Sequence, residues 1–201
     1  MVRPKQPTRQ KDASVHVQLA LSSVACASEI ERQLIKALAL RSQKPLPVAL
    51  QEFKRWDDAY ATKMRLVHTS FPDDQDVMAL LIEALMVHTA RRLWDIRIGT
   101  PASNSNVIEA LDICDKSFRL VDRNSVAQHP AVLYLNIHLL EMSPFPEQGI
   151  ISTNLLSDMC PDAEHINHVL VRFDRWQDII DEPMVEDPGS VFTDSNNAAL
   201  C

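Results

Sequence analysis

Glycine is scarce in this sequence. Only three of the 201 residues are glycine, and a fold of many short strands needs a tight turn after each strand, for which glycine is the usual residue. Hydrophobic residues make up 46% of the chain, so a single domain of this length has enough apolar surface to bury its own core. The composition therefore favours helices over a many-stranded fold.

The sequence also lacks an excess of positive charge, a long apolar run and any closely spaced pair of cysteines. Its formal net charge is −7, which argues against a nucleic-acid partner because such proteins normally present a basic face. No stretch resembles a membrane span or a secretory signal, so no membrane partner is predicted. We expect reduced thiols in a cytosolic or nuclear compartment, and we predict a cytoplasmic protein. The cysteines are Cys26, Cys114, Cys160 and Cys201.

Helical spacing of apolar residues is what the sequence has in abundance. The clearest helix start is Ser28, which forms a capping box with Glu31 and predicts a helix over Glu29–Arg41. A second helix is predicted over about Leu50 to Thr69. Five further helices are predicted. One begins after Asp74, one runs from Ser105 or Asn106 to Val121, and one begins at Pro130. Of the last two, one follows the Ser143–Glu147 segment as far as Asp158 and the other spans Val169–Ile180. The expected core residues include Trp56, Leu85 and Phe118.

The helices fall into one predicted domain over residues 14–182, between disordered tails at 1–13 and 183–201. Similar turns, each containing Pro-Asp, follow one helix and open another at Phe71–Asp74 and Cys160–Ala163. With a third break near Asp122 between them, breaks recur every 40 to 50 residues or so, which suits a helical-hairpin repeat of about 34 residues with insertions. We predict an all-α fold of antiparallel helical hairpins stacked as an α-solenoid, which offers a concave surface to a peptide or a small ligand.

A link of about fifteen residues without helical spacing follows the third predicted helix, and links of that length are often functional. It contains Arg91, Arg92 and Trp94. One interpretation is that Arg91, Arg92 and Trp94 line a pocket or bind an anionic group. The other is that Trp94 and Ile96 fill the space between helix pairs while the arginines form surface ion pairs.

Two polar pairs have the spacing of a possible metal site. His138 and Glu141 are three residues apart, and so are His165 and His168. Residues at i and i+3 share a helix face, so the pairs could meet across a helical hairpin. Three imidazoles and a carboxylate suit zinc, iron or manganese. The alternative is that these four residues are caps and surface contacts.

The chain resembles a group of tetratricopeptide-repeat-like proteins of bacteria and filamentous fungi, over about three quarters of its length, from Glu29 to Ile180. The matching stretches are Trp56–Tyr60, Phe71–Val77, Glu83–Met86, Arg92–Asp95, His138–Ser143, Pro146–Glu147 and Cys160–Ala163. The chain departs from the family pattern after His168, where a further histidine segment is missing.

The resemblance implies a tetratricopeptide-like fold and an accessory protein that presents a groove to a partner protein, in filamentous fungi within a secondary-metabolite pathway. It also implies that the clustered histidines are functional. The second hypothesis is therefore a metal-dependent enzyme or small-molecule binder, with His138, Glu141, His165 and His168 as ligands and Arg92 or Trp94 at the substrate. Because of the departure after His168, we expect at most two or three of the four ligands to converge.

Overall fold

The computed structural model describes residues 7–45, 49–89, 92–124 and 127–159. Within these ranges it contains seven α-helices, one small β-hairpin and two short 3-10 turns, so the all-α prediction is confirmed apart from that hairpin. The helices are α1 Pro7–Ser22, α2 Glu29–Arg41, α3 Leu50–Ser70, α4 Gln75–Val87, α5 Val107–Asn124, α6 Pro130–Leu140 and α7 Gly149–Met159. The strands are β1 Trp94–Asp95 and β2 Thr100–Pro101, and the 3-10 turns are Val24–Cys26 and Pro146–Gln148.

Local capping signals set the starts of the helices. The Ser28 hydroxyl accepts a hydrogen bond from the Glu31 amide, and the Glu31 carboxylate accepts one from the Ser28 amide at 2.7 Å. This confirms the predicted capping box and the bounds of α2. Asp74 caps α4 by accepting from the Val77 amide at 2.9 Å. Pro130 occupies the first turn of α6, where its missing N–H leaves no intrahelical bond unmade.

Two helices extend beyond their predicted bounds. Helix α1 begins at Pro7, so the predicted tail over 1–13 is helical from that residue on. Proline is well tolerated in the first turn of a helix, and α1 has a buried side at Ser14 and Val17. Helix α5 continues to Asn124, beyond the predicted break near Asp122. The helix predicted over 169–180, the turn at 160–163 and the tail at 183–201 lie outside the described residues.

The main core lies where α3, α4 and α5 meet. Leu85 has no exposed surface and Trp56 is 4% exposed, as predicted for core residues. Phe118 is only half-buried and packs against both the main core and a second, smaller cluster that joins α6 to α7. The second cluster consists of Leu133, Ile137 and Leu156.

Each α-helix packs against the next one in the chain, and α4 also packs against α6. Side chains of α3 and α5 meet at two levels: Arg65 contacts Glu109, and Lys116 contacts the Pro72 carbonyl just after α3. Both contacts join residues 44 positions apart in the sequence. Because the same offset holds at both levels, α3 and α5 run in the same direction, with α4 packed against both.

The described part of this link, residues 92–104, contains the β-hairpin. Trp94 pairs with Pro101 and Asp95 with Thr100 in an antiparallel register. Gly99 makes the turn with φ +66°, and a Cβ added there would lie 3.4 Å from the Cβ of Pro144. Glycine is favoured here because residues with a side chain rarely adopt this backbone conformation, and the turn brings the hairpin against the segment that follows α6.

No helix in the described part of the chain is long and apolar enough to cross a membrane. Of the two cysteines that lie in those ranges, Cys26 is exposed and Cys114 is buried, and both are free thiols. Burial raises the pKa of Cys114 to about 12. Its thiol is therefore protonated and unreactive at neutral pH.

Candidate functional site: a slot between α3 and α5

A cavity of about 340 Å³ opens between α3 and α5, and we call it the α3–α5 slot. Its residues come from the second half of α3, from α5 and from one position of α4. Ligand pockets in proteins start at about 300 Å³, so the slot is at the small end of that range. It is large enough for a side chain or a small molecule, and it is too narrow to enclose a helix, which is about 10–12 Å across.

One end of the slot is closed by a two-point ion pair. The Arg65 guanidinium donates to both carboxylate oxygens of Glu109, from Nε at 2.7 Å and from Nη2 at 2.6 Å. This hydrogen bonding raises the pKa of Arg65 above its ordinary value. Planar pairing of this kind fixes orientation as well as distance, so it holds the facing surfaces of α3 and α5 at a defined separation.

The other end is closed by Lys116. Its ammonium donates to the Pro72 carbonyl and lies 3.7 Å from the Asp73 carboxylate. From Arg65 to Pro72 and from Glu109 to Lys116 the chain advances by the same seven residues. At about 1.5 Å per residue, the two polar bridges are therefore roughly 10 Å apart along the helices.

The floor between the bridges is apolar. Leu81 of α4 is 1% exposed and Ile113 of α5 is 7% exposed, and both line the slot. Thr69 lines it from α3, and its hydroxyl donates to the Arg65 carbonyl at 2.9 Å, an ordinary contact within a helix. The slot thus has an apolar base under a polar rim, the usual composition of a binding site.

His68 completes the α3 wall. Burial lowers the pKa of its imidazole, the nearby Lys116 ammonium lowers it further, and the Asp73 carboxylate opposes them. His68 is therefore neutral at pH 7. Its Nδ1 is buried without a hydrogen-bond partner among the described residues, a cost to stability that a fully apolar side chain would not carry.

The remaining charge at the rim is negative. Asp112 lines the slot and is exposed, and it forms no ion pair with the parts of the chain that the structure describes. The two cations of the slot, in contrast, both have acceptors.

Trp94 makes contacts that stabilise the fold. Its indole N–H donates to the Leu139 carbonyl at 2.7 Å, and its ring packs against the main core. Leu139 belongs to the last turn of α6, where carbonyls have no intrahelical donor, so Trp94 supplies one of the missing donors. Arg92 is exposed and its backbone amide bonds to the Thr89 carbonyl. Ile96, the other residue proposed to fill space between helices, is 66% exposed and does not do so.

The structure does bring His138 and Glu141 together. His138 Nδ1 lies 3.3 Å from Glu141 Oε1, both side chains are partly exposed, and the His138 ring meets Tyr134 edge to face. Two ligands at about 2.0–2.1 Å from one tetrahedral zinc ion would also be roughly 3.3 Å apart. The separation therefore fits a direct hydrogen bond and a shared ion equally well.

The other two proposed ligands, His165 and His168, lie outside the described residues. Among the residues that are described, no group of three or more His, Cys, Asp or Glu side chains could hold a metal ion. The four-ligand hypothesis therefore stays a prediction. Of its four ligands, the structure describes His138 and Glu141.

The slot itself was not predicted from the sequence. Arg65 and Glu109 each look like ordinary surface residues of amphipathic helices, and only their separation of 44 residues, shared by Pro72 and Lys116, links them. The recurrence of breaks at similar intervals was the one signal available. Comparison of the chain with family models, with curated proteins and with solved structures finds no match.

Proposed function

We propose that this protein is a tetratricopeptide-like accessory protein that presents the α3–α5 slot to a partner protein. The observation that carries the proposal is the slot itself: a surface cavity with an apolar floor, between two polar bridges that join α3 to α5. Leu81 and Ile113 are themselves almost completely buried, so a side chain that enters the slot would be favoured by packing against them in a preformed cavity. The family resemblance adds a secondary-metabolite pathway as the setting.

The direction of the helices supports a repeated arrangement. Arg41 of α2 contacts Glu83 of α4 at 3.5 Å, across 42 residues, and α3 contacts α5 across 44. Two successive layers of helices are thus related by similar sequence offsets. Stacked hairpins with such offsets are what an α-solenoid would show, and solenoids use the surface of one layer to bind partners.

The test is a side chain that fills the slot. Thr69 lines the slot and Ser70, the next residue, does not; both are exposed, and each hydroxyl donates to a carbonyl four residues earlier. Thr69→Trp should block the slot, and Ser70→Trp is a matched control with the same bulk on the same helix. A photo-crosslinking residue at position 69 in the source cell would identify the partner, which is then purified.

Calorimetry with that partner should show at least about a tenfold loss of affinity for Thr69→Trp, equal to about 1.4 kcal/mol, and little change for Ser70→Trp. Equal affinity of the two variants, or a crosslinker at position 69 that captures no protein, would show that the slot does not bind a partner.

A metal-dependent enzyme or small-molecule binder is the second candidate, favoured by the 3.3 Å approach of His138 and Glu141. The ligands would be these two residues with His165 and His168, and Arg92 or Trp94 would contact a substrate. Elemental analysis of protein purified without a histidine tag tests it. Stoichiometric zinc, iron or manganese that is lost in His138→Ala would support this function, and its absence from the native protein would refute it.

A further inference from the structure

The charges around the α3–α5 slot restrict the chemistry of its occupant. Arg65 is held by both oxygens of Glu109, and Lys116 is held by the Pro72 carbonyl and lies near Asp73. An acidic ligand would have to compete with these internal acceptors for either cation. The carboxylate of Asp112, in contrast, is at the rim and exposed, without an ion pair in the described ranges.

We propose that the slot receives an aliphatic side chain from a basic segment of the partner protein, and that a lysine or arginine of that segment pairs with Asp112. The inference rests on the proposed function and adds the chemical class of the partner.

Size supports a single anchoring side chain. The two bridges leave roughly 10 Å of open length, while a helix with its side chains is about 10–12 Å wide. A partner helix or extended segment therefore rests on the rim and sends one side chain inward. Leu81 and Ile113 form the floor, and an aliphatic group is the one that loses no hydrogen bonds with water when it is buried there.

The surface next to the slot is acidic as well. Four exposed residues follow one another along α5 at spacings of three and four, so they lie on one side of the helix. Three are acidic and one is basic; they are Asp112, Asp115, Arg119 and Asp122. With a net charge of −7 for the chain, approach of a basic segment is favoured at long range, and an acidic segment is repelled.

The experiment uses the full chain and three synthetic probes. Each is an alanine-based 16-residue peptide with fluorescein at one end: one carries leucine and lysine four residues apart, one replaces the lysines by glutamate, and one replaces the leucines by serine. Fluorescence anisotropy at low salt measures binding. The leucine–lysine peptide should bind at least about tenfold more tightly than either of the others.

Two variants assign that binding to the slot. Asp112→Asn should weaken the leucine–lysine peptide by about two- to fivefold, the range of an exposed ion pair, and should reduce its salt dependence. Thr69→Trp should weaken it by at least about tenfold, and Ser70→Trp should not.

Each other outcome overturns the inference, and the outcomes separate it from the proposed function. If the leucine–glutamate peptide binds best and Thr69→Trp blocks it, the slot binds partners but selects acidic ones. If a peptide binds equally to the Thr69→Trp and Ser70→Trp proteins, binding is outside the slot. If no peptide binds at about 1 mM, weaker than about −4 kcal/mol, a basic aliphatic segment is not the recognised feature. The crosslinking test then still decides whether the slot has a partner.

Discussion

Replacing Trp94 by phenylalanine separates a structural role of this residue from a binding role. The substitution keeps most of the ring that packs against the main core and removes the indole N–H that donates to the Leu139 carbonyl at 2.7 Å. Leu139 has no exposed surface, so water cannot supply a replacement donor. A buried carbonyl without a partner costs about 1–3 kcal/mol, and we expect the free energy of unfolding to fall by that amount.

Urea unfolding followed by far-UV circular dichroism measures the effect. The matched control is Ile96→Ala on the same hairpin, where the side chain is 66% exposed and the expected change is within about 0.5 kcal/mol. Affinity of the folded Trp94→Phe protein for the crosslinked partner should be unchanged.

Two results would refute this reasoning about Trp94. A loss of stability as small as that of Ile96→Ala would mean that the hydrogen bond to Leu139 is not a stabilising contact. Unchanged stability together with a tenfold loss of partner affinity or of bound metal would show that Trp94 has the binding role considered in the sequence analysis.

Three further predictions concern stability. Trp56→Ala should lower the free energy of unfolding by about 3–5 kcal/mol, because the side chain is 4% exposed and its removal leaves a cavity; a loss below about 1 kcal/mol in urea unfolding would contradict its burial. Ser28→Ala removes the capping bond of α2 and should cost about 0.5–2 kcal/mol in the same assay, whereas Ser22→Ala, at an exposed hydroxyl that caps no helix start, should cost less. The lowered pKa of His68, caused first by burial and then by Lys116, means that the unfolded state binds the proton more readily. Stability should therefore be fully present above about pH 6.5, the unfolded value, and fall below it. His68→Gln should flatten this dependence, and an unaltered pH profile would show that another group is responsible.

Sequence reasoning succeeded where the bonds are local. The cap of α2 joins Ser28 to Glu31, and the cap of α4 joins Asp74 to Val77, so each signal and its partner lie within one turn of helix. Such pairs can be read from the sequence because their geometry depends on the helix alone. The bounds of α2 followed directly from one of them.

The sequence is a poor guide where the role of a residue depends on a partner far away in the chain. Trp94 is a residue type that often lines binding pockets, but its hydrogen-bond partner here is the carbonyl of Leu139, 45 positions away in the sequence. The prolines and charges of residues 1–13 predict a disordered tail, yet Pro7 lies in the first turn of α1, where proline is well tolerated. The side chains that decide between these alternatives come from other elements, which the sequence does not place.

The slot could not be predicted from the sequence for the same reason, because its two walls are distant in the chain. Arg65 and Glu109 are each more than one third exposed, so their pairing contributes little to the stability of the fold. Its effect is geometric, because two helices that both rest on α4 are held apart at a fixed width over an apolar floor. Both helices also contribute side chains to the main core, so the width of the slot is set by the same packing on α4 that holds the fold together. The slot therefore depends on the 44-residue offset between α3 and α5, which no single residue of either helix indicates in the sequence.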